Sequence, residues 1–135
     1  MQPTGQIEYR HNPDIDSDLI QQFWLAAAGH RWGDDLESVL THRYTWVTAH
    51  DGDLMVGFVH VAWDGGVHFF LLDPRVLPSY QHQGIGTRLV QEVVSDCRGN
   101  GYWMHVDSDE ATMTHFYQEA CSFEPTPAGL INLRL

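Results

Sequence analysis

The chain has no lysine. Its only side-chain cations are seven arginines, set against 12 aspartates and six glutamates in 135 residues, for a formal net charge of −11. That balance excludes general nucleic-acid and anionic-membrane binding, which need clustered basic groups to neutralise phosphates. It also excludes a P-loop nucleotide site, because the GxxxxGK[ST] motif requires a lysine. Cysteine is scarce as well. Cys97 and Cys121 form no CxxC pair, which fits a reducing compartment better than a disulfide framework and leaves both thiols as candidates for the core. No apolar run approaches the ~20 residues that cross a bilayer. The first ten residues, Met1 to Arg10, hold no apolar segment of a secretion signal and carry Glu8, so the expected location is cytoplasmic. The acidity suits either a solvated surface or a cationic substrate.

What is present is enough for one core. Hydrophobic residues make up 43% of the chain, with five Trp and six Phe, and no repeat or linker divides it, so residues 1–135 read as a single domain. Ile7 to Arg10 is a short strand candidate. The cluster Asn12 to Ser17 supplies turn and cap chemistry before Leu19, Ile20, Phe23, Trp24 and Ala27 at helical spacing,. Gly29 to Gly33 ends that helix, and a shorter one follows through Leu36, Val39 and Leu40. Tyr44 to His50, Leu54 to Trp63 and Val67 to Val76 then read as three strands joined by Asp51-Gly52 and Asp64-Gly65-Gly66, an antiparallel meander,. Ile85, Leu89, Val90, Val93, Val94 and Cys97 return to helical spacing. Tyr102 to Val106 is a strand, Glu110 to Ala120 a helix, and Phe123 and Leu130 to Leu135 closing strand-like pieces around Pro125 and Pro127. The strand, helix, strand unit from 67 to 106 predicts a parallel crossover, so the α/β sheet must be mixed.

The turn between the strand ending at Val76 and the helix starting near Ile85 carries the chemistry. A helix N-terminus leaves about four backbone N–H groups unpaired beside a partial positive charge, so it holds an anion without Lys or Arg. Glycine lets the backbone close on that anion. The spacing is not a Rossmann fingerprint, because Gly84-x-Gly86 is followed by Leu89 where a third glycine is required,.

The run Val76-Leu-Pro78-Ser-Tyr80-Gln81-His-Gln-Gly84-Ile-Gly86 resembles the V-x-P-x-Y-[RQ]-x-x-G-x-G signature of the GNAT superfamily of N-acetyltransferases. Phe116-Tyr117 and Phe123-Glu-Pro125 resemble that family's F-Y-x-x-x-G-F-x-P ending, and the order of elements agrees over nearly the whole chain. The resemblance implies a mixed, mostly antiparallel central sheet with helices on both faces and a β-α-β crossover that binds acetyl-CoA. It implies transfer of the acetyl group to a primary amine by direct attack in a ternary complex. It further implies that the strand ending at Val76 splays from its neighbour, so that Pro74, Arg75 and Val76 pair with the pantetheine arm. His82, Gln83, Gly84, Ile85, Gly86 and Thr87 would wrap the pyrophosphate with backbone N–H groups.

Tyr117 stands where the family often keeps a tyrosine that protonates the CoA sulfur; a core tyrosine is the other reading. The family's usual Asn is Glu110 here, Ser122 replaces a glycine, and the span from Tyr117 to Phe123 is one residue longer than common. Those departures keep a second function in view, a non-catalytic acyl-CoA-binding module. His105, on the strand expected beside the cofactor strand, has an imidazole suited to a general base near neutral pH, against a structural role for a lone strand histidine. Asp107 and Asp109 could orient it or bind a cation. His60 and His68 fall on adjacent hairpin strands, but no metal-ligand spacing accompanies them and no metal is expected. Asp73, Trp32, Trp46 and Trp63 are candidates for an acceptor pocket, each Trp being equally suited to the core. The acceptor is a small-molecule or peptide amine. The C-terminal strand offers an edge for a homodimer.

Overall fold

The structure, a computed structural model, describes residues 6–134. Met1 to Gly5, half of the segment read for a secretion signal, and Leu135 lie outside the described residues. β1 (Glu8–His11) leads to Asn12 at φ +48°. The Asn12 amide donates to Thr45 Oγ1 at 3.2 Å and its Oδ1 accepts the Trp46 N–H at 3.1 Å, which fixes the turn against the next strand. α1 (Ser17–Ala28) begins where the Asp16 carboxylate accepts the Asp18 N–H at 2.9 Å and ends at Gly29, whose φ of +82° lets its N–H return to the Leu25 carbonyl,. α2 (Leu36–His42) follows, and Asp35 at its start accepts from the Trp32 indole at 3.1 Å.

β2 (Arg43–Asp51), β3 (Leu54–Trp63) and β4 (His68–Val76) form the expected antiparallel meander, α3 (Ile85–Cys97) crosses over, and β5 (Trp103–His105) joins β4 in parallel. The strand order is β1-β2-β3-β4-β5. Successive strand residues point to opposite faces, and two neighbours in β3 show what each face carries. A Cβ on Gly57 would lie 2.9 Å from Leu89 Cδ1 and 3.1 Å from Ala49 Cβ, so the missing side chain is what lets α3 settle on the sheet. Phe58, turned the other way, meets Phe23, Trp24, Trp32 and Trp46 with ring centroids 5.8 to 6.4 Å apart. Helices therefore cover both faces. α3 buries Ile85, Leu89, Val90, Val93 and Cys97, each apolar side chain contributing about 1.5–3 kcal/mol as an upper bound.

Two features of β4 shape the site. Its pairing with β5 is confined to His68–Phe70 against Trp103–His105, so the strand from Leu71 onward has no neighbour on that side. Its register with β3 slips between Phe58↔Arg75 and His60↔Leu72, leaving Asp73 and Pro74 opposite Val59 alone. Proline cannot donate to a ladder, so a bulge is where a strand accommodates it.

The C-terminal expectations are corrected. The segment expected as one helix over 110–120 is an α-helical turn, α4 (Glu110–Thr112), that widens into a π-helix over Met113–Gln118, with Glu119 N–H to the Thr114 carbonyl and Cys121 N–H to the Phe116 carbonyl. A π-helix takes one more residue per turn than an α-helix. That absorbs the extra residue between Tyr117 and Phe123. Ser122, standing where glycine is usual, adopts φ +65° and so makes the glycine-like bend itself. The closing strands do not form. Residues 122–134 carry no strand, Pro125 and Pro127 remove two donors, and Leu130, Ile131 and Leu133 are 88%, 79% and 87% exposed,. The edge left open is that of β5. Among the described residues no helix is long and apolar enough to cross a membrane.

Candidate functional site

Between the unpaired half of β4 and the start of α3 lies a cavity of about 370 Å³. Of the residues expected to meet a CoA ester, Pro74, Arg75, Val76, His82, Gly84, Ile85, Gly86 and Thr87 line it. Gln83 does not; its amide turns back to the Ser79 carbonyl. Tyr80, Gln81, Thr112 and Phe116 also line it and were not assigned a part. Tyr80 and Gln81 belong to the quoted motif, so their signal was present. Phe116 belongs to the quoted Phe116-Tyr117 pair, whereas Thr112 lies in no motif and only the tertiary fold brings it in.

The turn itself is built from backbone. A 3₁₀ turn over Pro78–Tyr80 is tied to β2 by the Tyr80 hydroxyl donating to Asp51 Oδ2 at 2.6 Å, a bond that raises the phenol's pKa. His82 and Gly84 both take left-handed φ, +63° and +85°, and Gly84 caps α3 without any side-chain bond. The N–H groups of the first turn of α3 are thus left uncapped toward the cavity. No cation reaches them from α3: Arg88 pairs with Glu92 at 2.7 Å and lies over the Tyr9 ring. Arg75 lies over the Trp24 ring. A Cβ on Gly86 would come 3.4 Å from Phe116 Cε1, an ordinary contact, so only a side chain longer than alanine would press on that ring.

Tyr117 enters the same cavity, 4% exposed, its ring edge-on to Phe116 and Phe123. Burial pushes its phenol up to about 12, helped by the charges of Cys121, Asp109 and Asp73. Burial likewise pushes Cys97 up to about 12 and Cys121 up to about 11, so neither is a thiolate near neutral pH,.

His105 is not brought to the cavity. It is exposed on β5, its ring stacked on Phe70 at 5.1 Å and its Nε2 2.7 Å from His68 Nδ1. His60 faces Leu72 across the sheet rather than His68. Its Nε2 lies 2.7 Å from Asp73 Oδ2. Asp107 makes no part of the cavity wall, and Asp109 caps α4 by accepting the Thr112 N–H at 2.8 Å. Of the tryptophans, Trp46 is core at 1% exposure, Trp63 stacks on Phe69, and Trp32 packs on Trp24 while bordering His60. Among the described residues no group of three His, Cys, Asp or Glu side chains is placed to hold a metal.

No curated protein sequence matches the chain. Solved structures do. A GNAT-family acetyltransferase from Streptococcus pneumoniae superposes with a TM-score of 0.79 at 26% identity, over 96% of this chain and 100% of that one. An acetyltransferase of the GNAT family from Brucella melitensis, solved with acetyl-CoA, gives 0.65 at 20% identity over 82% and 81%. An aminoglycoside N-acetyltransferase solved with CoA gives 0.73 at 18% identity over 99% of each chain. The Acetyltransferase (GNAT) family profile matches residues 10–123, and the chain belongs to that family.

Proposed function

We propose that the chain transfers the acetyl group of acetyl-CoA to a primary amine by direct attack in a ternary complex. One observation carries this reading: the uncapped N–H groups of α3, the unpaired edge of β4 and the Tyr117 phenol open into one cavity. The pyrophosphate is held on the N–H groups of His82 and of residues 84–87,. The backbone of Pro74, Arg75 and Val76 runs along the pantetheine as a strand would.

In the step itself the amine nitrogen bonds to the thioester carbon and the carbonyl π pair moves to oxygen. Collapse of that intermediate breaks the C–S bond, and the departing thiolate takes the Tyr117 proton. The excess proton on the new amide nitrogen returns to the phenol oxygen, leaving amide and CoA thiol. A phenol at about 12 holds its proton throughout the neutral range, so its transfer must accompany C–S cleavage rather than precede it. A covalent route through cysteine is disfavoured by the raised pKa values of both thiols. His105, engaged with His68, takes no part in this step. The relatives that carry aminoglycoside acetyltransferase and acetyl-CoA in their descriptions support a small amine and this donor.

The test is CoA thiol release from acetyl-CoA against a panel of small cationic amines, amino acids and peptides. Release above the buffer rate with at least one amine is expected. Tight acetyl-CoA binding with no release across the panel favours the non-catalytic module that Glu110 keeps in view, and absence of binding overturns both.

The same reading includes a homodimer in which a second copy covers the open edge of β5 and the exposed Leu130, Ile131 and Leu133,. Light scattering on the full chain should give the mass of two copies, and Leu130→Asp with Leu133→Asp should return it to one. A wild-type monomer at micromolar concentration removes this part.

A further inference from the structure

The bulge in β4 fixes a carboxylate at some expense. Asp73 sits at φ +55°, a backbone that costs a non-glycine residue on the order of 1 kcal/mol and that Asp and Asn tolerate best. Its Oδ2 is held at 2.7 Å by His60 Nε2. The His60 ring is 2% exposed, bordered by Phe58 and Trp32 with centroids 5.6 and 6.0 Å away, and its Nδ1 has no partner among the described residues. With Nε2 engaged by the carboxylate, Nδ1 is a buried polar atom left unmatched, which costs free energy,. A strained backbone and an orphaned buried nitrogen are thus both maintained around one side chain.

That side chain lines neither of the two cavities but is joined to a wall residue of each. Asp73 precedes Pro74, the first wall residue of the donor cavity, and its charge is among those that raise the Tyr117 phenol. His60 lines a second cavity of about 280 Å³ on the opposite side, under α2, with Asp35, His42, Arg43 and Leu72. The Arg43 cation there is turned over the Trp46 ring and donates to the Leu40 carbonyl. With Oδ2 engaged by His60, Asp73 Oδ1 remains for a ligand, and the side chain is 39% exposed.

We propose that Asp73 seats an ammonium group of the acceptor other than the free amine that attacks, that the second cavity takes the body of that acceptor, and that His60 is the positioning residue that aims the carboxylate. The chain then selects small acceptors that carry a second, cationic nitrogen beside the primary amine that is acetylated. This rests on the acetyltransferase reading and adds the acceptor class to it.

Steady-state kinetics of the full chain, with the best amine of the panel, test the seat. Asp73→Asn keeps the side-chain shape and the tolerance of left-handed φ. It should raise the amine KM at least tenfold while the acetyl-CoA Kd, by calorimetry, stays within twofold. His60→Ala should raise the amine KM similarly, and His60→Gln, whose amide N–H can replace Nε2–H, should restore most of it. An unchanged amine KM in Asp73→Asn overturns the seat and leaves the acetyltransferase reading standing. If the wild type turns over no amine, that reading fails by itself, and a small diamine is titrated calorimetrically into the CoA-bound protein instead. Binding abolished by Asp73→Asn supports the seat, and binding kept overturns it. Should Asp73→Asn not fold, the wild type decides: a quaternary ammonium alcohol should occupy the site at least tenfold more tightly than its neutral carbon isostere, and equal affinity overturns the proposal.

Discussion

Gly84→Asp should weaken acetyl-CoA binding about 100-fold, measured by calorimetry on folded protein. Gly84 occupies φ +85° at the start of α3, and a Cβ there would meet nothing within 4 Å. The loss therefore does not come from crowding inside the protein. Two terms follow from the substitution, and only the second enters binding. A non-glycine residue in that conformation costs on the order of 1 kcal/mol, borne by free and bound protein alike and so visible as stability. The added carboxylate, about 5 Å from a bound phosphate charge at an effective dielectric near 20, opposes binding by about 3 kcal/mol, which is about 100-fold. Gly84→Ala separates the two: it should lower the melting temperature with at most a tenfold change in affinity. Gly86→Asp should be at least as harmful as Gly84→Asp, because its Cβ meets Phe116 at 3.4 Å and the carboxylate beyond it pushes on the helix that carries Tyr117. The CoA assignment fails if Gly84→Asp binds acetyl-CoA as the wild type does.

The parts of the site that could be read from sequence are those whose cause is local. Gly84 and Gly86 on either side of Ile85, ahead of Leu89, Val90 and Val93, specify a helix mouth, because left-handed φ at the cap and helical spacing are properties of adjacent residues,. The meander was legible for the same reason, from Asp51-Gly52 and Asp64-Gly65-Gly66 between apolar runs. The bulge at Asp73 was not, since it exists only in the slip of β4 against β3; Pro74 inside a strand was its one signal,. The π-helix was hidden too, although the extra residue before Phe123 and the left-handed Ser122 are its trace in the chain. Among the described residues, Leu130 to Arg134 do not form the expected strand although the edge of β5 is open, because apolar side chains describe a strand only where the chain is brought beside a pairing edge. His105 lies outside the cavity because its parallel register with Phe70 places it before the strands part.

Tyr117→Phe should lower kcat by about 100-fold or more, the scale of losing a positioned acid, while the acetyl-CoA Kd and amine KM stay within about twofold. The phenol is removed without disturbing the ring contacts to Phe116 and Phe123. Because burial holds Tyr117 at about 12, its titration cannot produce a basic limb in the rate profile below pH 10, and the variant should keep the wild-type profile's shape at lower amplitude. Stability gives an independent check of the same burial. The folded pKa lies above the ordinary 10 of an unfolded tyrosine. The contribution is thus whole below pH 10 and is lost as pH rises toward 12, where the unfolded chain has released a proton that the folded one keeps. Cys97 and Cys121, raised from 9 to about 12 and about 11, add falls of the same sign that begin near pH 9. Thermal melts of the wild type should therefore drop from pH 9 upward. Tyr117→Phe should flatten only the portion above pH 10. If turnover survives the substitution with kcat intact, the sulfur is protonated by another group and Tyr117 is a core residue that borders the cavity.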